Sequence, residues 1–166
     1  MLKITVDDTE LQKALTKAKA KLGSTKPLMA GIANLMMEAV EENFDKETDP
    51  NTGRKWKPLS PLTKEQRSKR GHDGKILQVS GALASSISSS YGDNHAVVGT
   101  NKVYAPVHQF GAVIRAKHKR ALSFGGVMRS SVTIPARPFL GISQQTQDEI
   151  NDLIEAWAAN AIAEQN

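Results

Sequence analysis

Between residues 28 and 44 the apolar side chains Leu28, Ile32, Leu35, Met36, Ala39, Val40 and Phe44 recur at intervals of three and four. That spacing leaves one local solution, a helix that buries a broad face. Pro27 stands where the first turn would begin, its missing N–H and fixed φ harmless there, and Ser24 or Thr25 offers a cap just before it. A face that wide needs a core to lie on. The 166 residues suit one domain burying about two thirds of the surface of its unfolded chain. Aromatic residues make up only 5%, so Leu, Ile, Val, Ala and Met must fill most of that core, and loops take a large share of the length.

The remaining elements read less sharply. Leu2, Ile4 and Val6 alternate with polar residues as in a short strand with one buried face. Asp7 with Glu10, then Leu11, Leu15, Ala18 and Leu22 and finally Gly23, predict a first helix ahead of the one already described. From Asp49 to Pro61, DPNTGRKWKPLSP carries too many Pro, Gly and Asn residues for a regular element, so a loop anchored by Trp56 is expected. A short polar helix over Thr63 to Arg70 follows. The stretch from 76 to 90 reads as a turn of helix running into a strand, which forms a hairpin across 85 to 100 with the strand AVVGT. Residues 113 to 133 read as a long, partly mobile β-arm, and Ser143 caps a last helix with Ile150, Leu153, Ile154, Trp157 and Ala161 on one stripe. The fold class is α+β: a small antiparallel sheet packed with two N-terminal helices and one C-terminal helix, plus the arm, all in a single domain.

Charge is segregated along the chain. No acidic residue lies between Asp93 and Asp148, whereas Lys102, Arg115, Lys117, Lys119, Arg120, Arg129 and Arg137 do; a second basic run spans Arg54 to Lys75. Acid is concentrated in Glu38 to Asp49 and Asp148 to Glu164. Such a distribution favours a polyanionic partner or the docking of one face onto another copy. With no cysteine there is no disulfide, no thiolate nucleophile and no Cys-containing zinc site, which fits a reducing cytoplasm. No signal peptide and no apolar stretch approaching the ~18 residues of a membrane span is visible, so no membrane partner is expected.

Chemistry-bearing patterns are missing as well. His72, His95, His108 and His118 show no metal-binding spacing, and Ser80 is not in a nucleophile elbow. Gly125-Gly126 lacks the rest of a phosphate loop, and Glu38, Glu41, Glu42 and Asp45 look like the wet side of a helix. No catalytic residue, metal or cofactor is assigned. The basic runs lack the interleaved aromatics of a single-strand binder, so any contact with DNA would be electrostatic and sequence-independent.

Four segments in order, GRKWKPLSP (53–61), ILQVSGALASSI (76–87), AVVGTNKVYAPVHQFG (96–111) and IPARPFLG (134–141), followed by an amphipathic C-terminal helix, resemble the phage virion morphogenesis, or tail completion, family of Mu-like phages and prophages. The resemblance implies a non-enzymatic assembly role late in the building of tailed phages, at the tail or the head-to-tail junction. Its implied setting is the host cytoplasm during assembly and the virion afterwards, and its implied partners are tail or connector proteins. Other copies of the chain, in a ring, are a further expected partner.

Within these segments we expect a packed corner, not an active site. Phe139 and Leu140 are expected to bury beside Phe110 and Tyr104, while His108 and Gln109 hydrogen-bond the backbone of the returning segment. For Arg137 a buried or interface ion pair with an acid of the second helix is weighed slightly above phosphate binding. Arg115, Lys117, Lys119, Arg120 and Arg129 are expected to face a neighbouring subunit or DNA. A nucleic-acid-binding accessory protein is the alternative from another functional class.

Overall fold

A computed structural model of the chain describes residues 2–5, 24–72, 74–116, 121–124 and 127–163. The expected apolar helix is α1 (Lys26–Lys46), with Leu28, Ile32, Met36, Val40 and Phe44 buried along it. Thr25 takes the N-cap position, but its hydroxyl does not cap. It donates instead to the carbonyl of Asp93 in the turn of the hairpin, so this residue ties the helix to the sheet. The helix stops where Glu47 turns left-handed (φ 51°) and the amide of Thr48 returns to Asn43 O at 3.1 Å. The helix expected over Asp7 to Gly23 lies outside the described residues.

Three strands, β1 (Leu2–Thr5), β2 (Ile87–Tyr91) and β3 (Ala96–Thr100), form an antiparallel sheet in the order β1-β3-β2. In its register Val98 faces Ile4 on one side and Ser89 on the other. The β2–β3 hairpin occupies the stretch read for it, and a 3-10 turn at Ala84–Ser86 feeds into it. Alternation along β2 is weak because only Ile87 is partly buried, whereas β3, the central strand, is buried at Ala96, Val98, Gly99 and Thr100. Helix α1 packs against β2, β3 and the C-terminal helix.

The loop after α1 is closed by a Thr48–Lys55 bridge and by the amide of Trp56 on Glu47 O at 2.7 Å. Helix α2 (Pro61–Lys69) starts at Ser60, whose hydroxyl accepts from Thr63 N at 3.2 Å, and it buries none of its side chains. A short helix, α3 (Ala105–Phe110), occupies the APVHQF stretch. The last helix, α4 (Gln144–Ala163), is capped by Ser143 as expected, through Thr146 N at 3.2 Å. Ile150 is buried in the core, with Leu153, Ile154 and Trp157 packed at its edge.

The span read as one β-arm is divided. Strands β4 (Ala112–Arg115) and β7 (Ser131–Ile134) form one antiparallel ladder, β5 (Leu122–Phe124) and β6 (Val127–Arg129) another. Ser130 alone joins β6 to β7, whereas 116–121 join β4 to β5. The two ladders therefore do not share a register, and among the described residues neither packs broadly on any other element.

Candidate functional site

The motif residues converge on one extended segment, Arg137 to Gly141. An extended backbone running through a core with no strand beside it must find a partner for each buried N–H and C=O, and this one takes them from side chains of distant elements. Gln109 on α3 accepts from Phe139 N and Leu140 N, both at 3.0 Å, and donates to Leu140 O at 2.7 Å. Asn43 on α1 donates to Phe139 O and Gly141 O, both at 3.1 Å. Trp56 Nε1 donates to Pro138 O at 2.7 Å, and Arg137 N donates to His108 O at 2.7 Å. Pro138 has no N–H to satisfy.

Phe139 is fully buried against Phe44, ring centres 5.2 Å apart, and Phe44 meets Trp56 edge-on at 5.8 Å. Asn43 was not singled out in the sequence. Its signal was an amide inside the apolar stripe, between Val40 and Phe44.

Two expectations for this corner are corrected. Phe110 does not bury beside Phe139: it is 68% exposed, and Tyr104 is 40% exposed. The reason is helical geometry. Ala105 and Gln109, four apart on α3, form its buried face, so the next residue, rotated about 100° round the helix, points outward. Arg137 makes no ion pair with a carboxylate of α1; its guanidinium donates to the carbonyls of Lys57 (2.9 Å) and Pro58 (3.2 Å). The Pro-rich loop offers carbonyls that no ladder uses, and a buried guanidinium takes them without bringing a second charge into the core. Glu47 acts on Arg137 only electrostatically, raising its pKa, while burial, the larger effect, lowers it.

His108 holds the corner through its carbonyl, not its ring. Its Nδ1 is buried with no hydrogen-bond partner among the described residues, and Tyr104 stands edge-on to it at 6.0 Å. Burial, followed by the nearby charge of Arg137, pushes its pKa below the ordinary histidine value. With its pKa lowered and no carboxylate bonded to it among the described residues, this imidazole is poorly equipped for proton transfer. It lines a groove of about 590 Å³ with Leu77, Val79, Leu83 and Ile134. Among the described residues no three His, Cys, Asp or Glu side chains come together as a metal site would require.

The charged runs are used differently. In the 54–75 run much of the charge is tied up within the subunit. Arg67 donates to the carbonyls of His72, Gly74 and Lys75, Lys75 pairs with Asp45 at 2.7 Å, and Lys69 with Glu65 at 2.6 Å. A larger groove of about 780 Å³, floored by Trp56, Leu59 and Ile76, lies beside this run. Arg115 on β4 and Arg129 on β6 are exposed. Lys117, Lys119 and Arg120 lie outside the described residues. No helix among the described residues is long and apolar enough to cross a membrane.

Comparison with known proteins gives a consistent picture. Mu-like prophage FluMu G protein 1 of Haemophilus influenzae is 32% identical over 149 residues, covering 89% of this chain and 88% of that protein. FluMu G protein 2 of the same organism is 32% identical over 158 residues, 95% of this chain and 96% of that one. The protein of Escherichia phage Mu named "Putative capsid assembly protein G" is 30% identical over 132 residues, 79% and 78% of the two chains. No solved structure matches. The model of the phage virion morphogenesis family matches residues 6–159, nearly the whole chain. The match covers well over half of the chain, and the chain belongs to the phage virion morphogenesis family.

Proposed function

We propose that this protein is a non-enzymatic assembly factor that completes the tail of a phage or prophage, or joins tail to head, as one subunit of a ring. The observation that carries this reading is the use made of the polar motif residues. Gln109, the Trp56 indole and the Arg137 guanidinium all hydrogen-bond backbone groups, as does Asn43 on α1. Residues that would otherwise suggest chemistry are spent on architecture, as suits a protein whose product is a shape. The name of the phage Mu relative, a capsid assembly protein, supports an assembly role without choosing the stage. Tail or connector proteins and other copies of the chain are the partners of this reading, with the host cytoplasm and then the virion as its location.

The test is electron microscopy of lysates from an induced phage or prophage lacking this protein. Filled heads beside unattached tails are expected. Normal infectious particles would refute the assembly role, and empty or malformed heads would move the role from the tail to the capsid.

A further inference from the structure

The β4–β7 ladder has only two strands, so among the described residues no strand lies along the outer edge of β7. Its register says which backbone groups face that way. Continuing the pairing Arg115↔Ser131 by one residue sets Ala116 opposite Ser130, and the Ala116 amide donates to Ser130 O at 3.3 Å. Hydrogen-bonded and non-bonded pairs alternate along an antiparallel ladder. Val132 and Ile134 therefore turn their N–H and C=O toward β4, while Ser131 and Thr133 turn theirs away from it.

Val132, Thr133 and Ile134 all line the groove of about 590 Å³ that His108 also lines. Successive side chains of a strand point to opposite faces, so three consecutive residues share one groove where it runs along the strand's edge. Leu77, Val79, Leu83 and Tyr104 supply further walls, with Val79 47% and Tyr104 40% exposed. An open strand edge beside apolar walls suits an added strand: the edge supplies backbone bonds, and the walls receive alternate side chains.

Charge narrows the occupant. Lys57, Arg67 and Arg137 line the groove, and among the described residues no acid does. Arg67 and Arg137 donate to carbonyls, which satisfies N–H groups but leaves the positive charge in place. The occupant that complements all three features is extended, apolar at alternate positions and acidic. A second copy does not offer one, because no described strand of this chain contains Asp or Glu. A phosphate backbone has neither amide groups to continue a ladder nor apolar side chains to fill the groove.

We propose that an extended segment of another protein, apolar at alternate positions and carrying Asp or Glu, adds as a third strand to β4–β7 along the outer edge of β7. This deepens the assembly reading above, on which it rests, by naming how a partner is held.

Photocross-linking in induced cells tests it, with Tyr104→p-benzoylphenylalanine in the full chain. The expected product joins this chain to a stretch of a different protein that alternates apolar residues and carries a carboxylate. Thr133→Pro removes the outward N–H without taking a bond from β4, so this variant should keep the parent's melting and lose both the cross-link and infectious particles. Val79→Glu, which sets a carboxylate in the groove from an exposed position, should do the same and covers the case in which the proline variant fails to fold. In the free chain the Thr133 amide should exchange faster than those of Val132 and Ile134.

A cross-link to another copy of this chain, to DNA or to nothing would overturn the proposal. So would folded Thr133→Pro or Val79→Glu protein that supports the parent's yield of infectious particles, or a Thr133 amide already protected in the free chain. The two readings fail separately. Heads and tails left apart without the protein, together with full infectivity of both variants, would keep the assembly role and remove this groove from it. Normal particles without the protein, together with a cross-link that reaches an acidic strand of another protein and is lost in Thr133→Pro, would do the reverse.

Discussion

Replacing Gln109 by Met is the sharpest perturbation of the corner. Methionine is close to glutamine in length and is likewise unbranched, so it removes the hydrogen bonds without leaving a large cavity. Three backbone groups lose their partner: Phe139 N, Leu140 N and Leu140 O. Phe139 and Leu140 are 0% and 2% exposed, so water cannot reach these groups unless the segment moves. A buried group left unsatisfied costs about 1–3 kcal/mol. The sum is an upper bound, because local relaxation can admit water and the apolar side chain recovers some burial; we expect a loss of about 3–5 kcal/mol. For a chain of this length each kcal/mol corresponds to about 2–4 °C, so the melting temperature should fall by about 6–20 °C. Urea unfolding of parent and variant checks this, provided the m-values agree, since only then is the midpoint shift a stability change. A Gln109→Met protein that melts within about 2 °C of the parent would refute the view that this side chain holds the segment.

Phe139→Ala should destabilise by about 3–5 kcal/mol through the cavity it leaves, whereas Phe110→Ala, on the surface, should stay within about 0.5 kcal/mol in a dilute single subunit; equal losses in thermal melts would contradict the burial difference. Gly111 sits at φ 73°, and a Cβ there would come within 2.8 Å of Ala136 N and 2.9 Å of Ile134 O, so Gly111→Ala should cost more than about 1 kcal/mol, read by urea unfolding. His108 has its pKa lowered from 6.5 in the folded state, so the unfolded chain binds the proton more readily there. Its contribution to stability is complete above pH 6.5 and is lost as pH falls from there toward the folded value. His108→Gln should flatten that part of the stability profile, and an unchanged slope would mean that another group causes it.

The sequence alone was enough for whatever depends on neighbours in the chain. The stripe from Leu28 to Phe44, the cap at Ser143 and the β2–β3 hairpin are all visible because period, capping and turn chemistry act within a few residues. Family membership was legible for a related reason: the segments around Trp56, Gln109 and Phe139 keep a recognisable order along the chain. Only the tertiary structure decided what those segments do to one another. Phe110 and Phe139 are the same residue type in similar surroundings, yet one is exposed and the other buried, because α3 turns Gln109 inward and cannot turn both neighbours the same way. Arg137 met carbonyls where an acid was expected, because a Pro-rich loop distant in sequence brings unused acceptors to it. Asn43 looked like one polar residue in an apolar stripe until Phe139 and Gly141, about a hundred residues on, supplied its acceptors. Contacts of that range depend on how the helices and loops are aimed, which no local pattern encodes.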